Sequence, residues 1–439
     1  MTFDAPAHAP HRRWRIAILL GIGVLVNFFD RVNVSVAFNA LHLSWGISAV
    51  AFGYLASAYN WTYAALQIPV GVALDRFGVR RVGRIAAFLW SMASFASGLA
   101  TGIYTFFAAR LLLGVGEAPT FPSNAKAIGY WFPEDERSFA TSINDAAAKF
   151  ASAIGVPILG ILLIAYGWRW SFIFTGVISF IYFLLFWNVY RNPSDDPRLS
   201  PAERQHLIDG HAQPESAPSA HVHGAPLLYL LRQPQVIGAT IGFAAYNYVF
   251  YLVLTWLPTY LSLSLHVNLL HSALDTSIPW LVATFTDLLI GGWMVDTLVR
   301  RAVTRGGRPW LVRQAVLVGG LAFGTGIYGA RFAHTPTAAI VWISICMAGL
   351  GAMAPVGWSI PSFIAPRESV GRVGGIMNFA TQIAAISAPI ITGYFARAHN
   401  FGGSFALAAI VLAIGIAGYI LGLGKLQRIP EPAEALTDH

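Results

Sequence analysis

Seven ionisable residues fall inside long apolar stretches of this 439-residue chain: Asp30, Arg31, Arg110, Glu117, Asp145, Lys149 and Asp287. A charge at the centre of a bilayer costs at least ~2.5 kcal/mol on insertion scales, so such residues face a polar interior and find partners there. Asp30 and Arg31 are adjacent, and on a helix they point about 100° apart and address different neighbours. Arg110 and Glu117 are seven apart, which returns them to nearly the same helical face two turns on. Asp145 and Lys149 form an i, i+4 pair in the favourable acid-first order. Asp287 has no evident charged partner. It is expected to be protonated, hydrogen-bonded to Thr284 or Thr286, or turned to a water-filled cavity.

Two arginines aimed at a midplane cavity make a carboxylate site, because guanidinium binds carboxylate bidentately and stays charged. A carboxylate in a low-dielectric site holds a proton more tightly once its cationic partner leaves. An anion at the arginines then competes with Asp30 or Glu117 and frees them to take protons, which couples anion to proton movement. One arrangement pairs a carboxylate with each arginine across the two helices. The alternative is a static ion-pair network, although buried pairs seldom add net stability. Lys149 is either a third cation for the substrate or a partner neutralised by Asp145.

The elements that hold these groups follow from composition. The chain is 56% hydrophobic and 11% charged, against about 25% charged in soluble domains, and its mean hydropathy is +0.59. It reads as an all-α integral membrane protein. Hydropathy supports twelve spans near 16–38, 50–74, 82–102, 104–128, 138–166, 169–190, 235–262, 272–298, 311–330, 336–362, 370–396 and 403–426. The polar stretch between spans six and seven opens a short helix at Ser200-Pro201-Ala202-Glu203, with Ser as cap and Pro at the first position. Residues 1–190 and 235–439 are then two six-helix bundles, and 191–234 a linker. The +8 formal charge is spread over alternate loops, the pattern of membrane topology and not of a nucleic-acid surface. Arg76, Arg80, Arg81, Arg84, Arg137, Arg300, Arg301, Arg305, Arg308, Arg367, Arg372 and Lys425 collect on one side with both termini, the cytoplasmic side by this rule. The N-terminal run continues through Asp30-Arg31 without a small-residue cleavage site, so an uncleaved first span is expected over a signal peptide. No phosphate-binding loop or zinc-binding spacing appears, which excludes a nucleotide-driven pump and a membrane metalloenzyme. No cofactor is expected beyond protons as coupling ion. The expected partners are a small organic anion, protons and lipid, with no nucleic acid, and the chain is expected to be a monomer.

The loop after span two, Gly71-x-x-x-Asp75-Arg76-x-Gly78-x-Arg80-Arg81, is partly copied after span eight as Gly292-x-x-x-Asp296 with Arg300-Arg301. It resembles the loop signature of the major facilitator superfamily, whose fold is two pseudo-symmetric six-helix bundles. Its glycines let helices approach and Asp75 can accept bonds from a helix N-terminus or a nearby arginine, so it is read as a gating element.

Phe28-Phe29-Asp30-Arg31-Val32-Asn33, the Ala109-Arg110 to Gly116-Glu117 run into Phe121-Pro122, and Trp256-Leu257-Pro258-Thr259-Tyr260-Leu261 are similar to the anion:cation symporter branch. That branch includes bacterial sugar-acid transporters and the lysosomal sialic-acid carrier. The resemblance implies proton carriers at Asp30 and Glu117, a carboxylate-binding Arg31, and an Arg110 that modulates Glu117; Asp145, paired with Lys149, is a further coupling candidate read from this chain's own residues. It also implies substrate contacts at Tyr63, Trp358 and Asn378; Lys149 is a candidate contact of this chain's own. On local chemistry, Tyr246, Asn247 and Tyr251 of span seven suit hydroxyl recognition and ring stacking. Two departures from the galactonate-type pattern stand out: Asp145-Ala-Ala-Ala148-Lys149 where a glutamine is usual, and Pro355 and Gly357 where hydroxyls are usual. The implied function is proton-coupled import of a sugar acid across a bacterial inner membrane. Other carboxylates, or proton antiport, which the Gly155-x-Pro157-x-x-Gly160 fragment suggests, are the alternatives.

Overall fold

Apolar runs of this length become helices because a bilayer core offers no water to backbone N–H and C=O groups, which must bond within the segment. The computed structural model describes residues 11–133, 136–213, 215, 225–366 and 369–431, and every regular element among them is helical. Arg367 and linker residues 214 and 216–224 lie outside the described residues. The first half comprises α1 (Arg12–Val36), the short α2 (Phe38–Trp45), α3 (Ala49–Ala65), α4 (Gln67–Gly98), α5 (Ile103–Glu117), α6 (Thr120–Trp131), α7 (Arg137–Tyr166) and α8 (Trp168–Val189). The connecting stretch carries α9 (Pro201–Asp209) and α10 (Leu227–Leu231). The second half comprises α11 (Pro234–Ser264), α12 (Leu269–Thr286), a π-helical segment Asp287–Met294, α13 (Val295–Thr304), α14 (Pro309–Gly324), α15 (Pro336–Ile364), α16 (Val370–Arg397) and α17 (Phe401–Ala417).

Nine helical runs among the described residues are long and apolar enough to cross a membrane. The other three expected spans are helical too. The expected break between spans two and three falls at Gly78, where two helical runs within α4 meet at a kink with φ 75° and ψ 163°. A side chain is strained at that angle, which is why glycine stands there. The fourth span breaks after Glu117, where Pro119 separates α5 from α6.

Within the first half α1 packs on α7 and α8, and α4 on α5 and α8. Within the second, α11 packs on α16 and α17, and α14 on α15. The halves meet through α3 with α16, α7 with α12, and α1 with α11. Large apolar side chains such as Phe323, Ile410, Ile414 and Leu421 stand exposed around the outside, as a lipid-facing belt requires.

The two ends of the molecule differ. At the end away from the basic loops, a Cβ on Gly53 would lie 2.5 Å from the Pro389 carbonyl oxygen, and one on Gly393 would lie 2.7 Å from that of Ala49. Only hydrogen allows this approach. Phe38, Phe52 and Trp256 plug the same end with centroids 4.9 to 6.0 Å apart. Trp256 Nε1 donates to Pro389 O at 3.0 Å, and Asn39 donates to Ser262 at 3.2 Å. At the basic end a Cβ on Gly71, Gly371 or Gly375 meets nothing within 4 Å. The halves are closed at one end and parted at the other.

Polar anchors fix the connector at both sides. Ser200 caps α9 by accepting from Glu203 N at 3.2 Å, as its sequence motif predicts. Glu203 is fully buried and accepts from Arg13 Nη1 at 3.3 Å, while Arg12 pairs with Asp196 at 2.6 Å. Arg13 also pairs with Glu136 at 2.7 Å. Partial burial of Glu136 works to raise its carboxyl, but hydrogen bonds from Arg13 and His206 outweigh that and hold it below its ordinary value. Ser194 donates to Glu215, and on the second half Ser369 Oγ and Arg372 Nη1 hold the backbone of Ala225 at 2.8 and 2.6 Å.

Candidate functional site

Arg31 is the centre of the site. Its Nε donates to Glu117 Oε2 at 2.9 Å across α1 and α5, and Nη1 reaches the Tyr251 hydroxyl of α11 at 3.4 Å. Three rings wall it in: Phe28, Tyr59 and Tyr63, at 4.7, 5.1 and 5.5 Å from its guanidinium carbon. Such contacts favour a cation that is kept from water. Arg110 lies against the same Tyr59 ring at 5.3 Å.

The expected pairing of each arginine with a carboxylate is half right. Arg31 pairs with Glu117, but Arg110 donates Nη1 to the backbone carbonyl of Asp30 at 3.1 Å and not to its carboxylate. Asp30 is instead held by hydroxyls, accepting from Ser94 at 2.6 Å and Ser179 at 3.0 Å. The reason is local geometry: adjacent residues diverge, so Arg31 turns to α5 while Asp30 turns to α4 and α8.

Five polar atoms here are buried without a protein partner: Arg31 Nη2, Arg110 Nε, Arg110 Nη2, Glu117 Oε1 and the Tyr59 hydroxyl. Leaving a buried donor unmet costs about 1–3 kcal/mol, more when charged. Three unmet donors on two guanidiniums beside one half-used carboxylate are chemically suited to an anion's oxygens.

Asp287 does have a charged partner, contrary to the sequence reading. Lys149 of α7 pairs with Asp145 on its own helix at 2.9 Å and with Asp287 across the interface between halves. Thr284 and Thr286 do not donate to Asp287, because their hydroxyl protons go to carbonyls of their own helix. Lys149 is thus bracketed by two carboxylates, which supports pairing over a free third cation. The partner was illegible in sequence because 138 residues separate it from Asp287. Tyr246 of α11 faces this triad, with its ring stacked on Phe243 at 5.3 Å.

Asn247 spends its amide on Phe243 O at 3.1 Å, one turn back on α11. Trp358 stands 53% exposed with its ring on Phe243, and Asn378 donates to Gln67 at 3.4 Å across α16 and α4. Asn378 thus bridges the two halves, and neither residue bonds the arginine cluster. In the gating loop Asp75 pairs with Lys126 of α6 at 2.5 Å, not with an arginine, and Arg80 meets Asp195 at 3.6 Å. Arg76 is exposed. Gly71 makes no close helix contact here, so its expected packing role is absent in this arrangement. Phe28, Tyr59, Ser94 and Ser179 were missed in sequence. The spacing of Tyr59 to Tyr63 and of Phe28 to Arg31, each one helical turn, was the signal for the aromatic wall.

Two helical halves enclosing buried charges, closed at one end only, define a secondary transporter. The chain belongs to the Major Facilitator Superfamily, whose family model matches residues 20–312. It is 36% identical over 421 residues to the uncharacterized transporter YybO of Bacillus subtilis, covering 95% of this chain and 96% of that one. It is 32% identical to a D-galactonate transporter of Escherichia coli, covering 97% and 100%. It is 31% identical to the probable galactarate/D-glucarate transporter GarP of the same species, covering 98% of both. A bacterial homolog of the human lysosomal transporter Spinster shares the fold, with a TM-score of 0.73 at 16% identity over 94% of this chain and 97% of that one. The protein is a membrane transporter of this superfamily and not an enzyme.

Proposed function

We propose that this chain imports an organic monoanion, a sugar acid first among candidates, together with protons across a bacterial inner membrane. The unmet donors of Arg31 and Arg110 beside Glu117 carry the reading. The substrate carboxylate takes Arg31 in two parallel bonds and displaces Glu117. Glu117, left without its cation in a dry site, takes a proton. Asp30, bound only by hydroxyls, is the second proton carrier, and Arg110 tunes the pair through Tyr59 and the Asp30 backbone. Tyr63, Tyr246, Asn247, Trp358 and Asn378 line the path to the sugar hydroxyls.

The lysine and arginine asymmetry supports reading the basic end as cytoplasmic, and with it an inward-open arrangement. The D-galactonate and galactarate/D-glucarate names of the relatives support the substrate class. A short dianion is the second reading, favoured by Pro355 and Gly357, which offer no hydroxyl partners on α15. The test is uptake by proteoliposomes of labelled aldonates, uronates, aldarates and short-chain carboxylates, with and without an inward proton gradient. Gradient-dependent accumulation of a sugar acid supports the proposal. Uptake of short acids alone, or accumulation driven by an outward substrate-for-proton exchange, overturns it.

A further inference from the structure

Lys149 stands between two carboxylates with its side chain 3% exposed; the Asp287 side chain is 5% exposed and that of Asp145 27%. One ammonium against two carboxylates leaves an uncompensated negative charge in a low-dielectric interior, where it is costly. The two ion pairs are not equivalent. Asp145 is one turn from Lys149 on α7 and keeps it in any arrangement of the halves. Asp287 belongs to the other half, and its pair exists only while α7 and α12 are pressed together. Those helices are locked closest towards the closed end, where a Cβ on Gly160 would lie 2.7 Å from the Ala273 side chain. Asp287 also opens the π segment, the kind of local widening that occurs mostly at functional sites. The titratable groups that face it are Lys149 and Asp145 from α7 and Tyr246 from α11, while α15 presents Ala352 and Pro355 to the segment.

We propose that Asp287 is a third proton site, loaded when the closed end parts and emptied when Lys149 returns. The inference rests on the proton-coupled reading above and extends it from the first half into the second. When α7 and α12 separate, the ammonium stays with Asp145, and the Asp287 carboxylate binds one proton from the medium on that side. When the end closes, the ammonium re-pairs with the carboxylate and the proton leaves towards the parted basic end. The cycle moves one proton without a change in covalent structure elsewhere.

The test needs no substrate. Infrared difference spectra of the purified protein in lipid vesicles, taken from mildly acidic to mildly alkaline pH, report each carboxyl that gains a proton. Spin labels on α3 and α16 report the closed end. Asp287→Asn should remove one titrating carbonyl band per chain and flatten the pH dependence of the label distance. Lys149→Gln should hold one carboxyl protonated throughout the range. A D287N protein that keeps every titrating band of the unsubstituted one, or a K149Q protein with no added protonated carboxyl, overturns the proposal. Its fate is separable from that of symport: gradient-driven uptake with an unchanged D287N spectrum removes the third site alone. Loss of the band in D287N without any gradient-driven uptake leaves the site standing and removes symport.

Discussion

Replacing Glu117 with glutamine takes away a buried charge 2.9 Å from Arg31 Nε while preserving its shape. A hydrogen bond to a charged group contributes about 1.5–3 kcal/mol. A substrate carboxylate that must displace Glu117 loses that amount; taking ~2 kcal/mol, its removal tightens binding about thirtyfold. The same change removes a proton acceptor, so affinity should lose most of its pH dependence. Calorimetric titration of the purified variant with whichever acid the uptake panel identifies measures the first effect at two pH values. Proteoliposomes measure the second: E117Q should exchange labelled for unlabelled substrate yet fail to accumulate it down a proton gradient. Binding weakened tenfold, or accumulation that persists, would refute the competition between Glu117 and substrate.

Three further outcomes are expected. Arg31→Lys keeps the charge but loses the planar fork, and uptake should fall about fiftyfold, a loss of ~2–3 kcal/mol; Arg31→Ala should abolish uptake, and retained affinity in the alanine variant would exclude a carboxylate contact. Gly393→Leu drives a side chain into the Ala49 carbonyl and should prevent closure of that end, at a cost of about 1–3 kcal/mol. Cross-linking of an Asn39→Cys/Ser262→Cys pair, whose native groups are 3.2 Å apart, should then drop sharply, and an unchanged yield contradicts the reading of that end as the closed gate. Glu136, held below its ordinary value by Arg13 and His206, contributes stability that is present above the usual carboxylate range of about 4.3 and is lost as pH falls through its depressed value. Amide exchange in α9 should therefore accelerate in strong acid, and in Glu136→Gln already at neutral pH; identical protection in both proteins would remove Glu136 from the staple.

Spans and the identity of the buried charges were legible because each rests on short-range pattern: apolar length and one-turn spacings. Ser200 and Glu203 show the limit of that success. The capping motif predicted the start of α9, yet nothing nearby disclosed that Glu203 would be buried under Arg12 and Arg13. Pair assignments failed wherever the partner lay on another helix. Asp30 and Glu117 are both carboxylates in apolar helices, and only the rotation of α1 against α4, α5 and α8 decides that one meets hydroxyls and the other a guanidinium. Asp75 shows the same at the surface, where Lys126 of α6 takes a place that a helix N-terminus or an arginine was expected to fill.

The connector between the halves is pinned at Glu215 on one side and at Ala225 on the other. Ten peptide steps separate those pins, and a chain of that length spans at most about 35 Å when fully drawn out. On the proposed alternating-access reading, the contour length of the connector between these pins caps how far the halves part at the basic end. Shortening it would leave the site chemistry untouched and limit how wide the molecule opens towards that side.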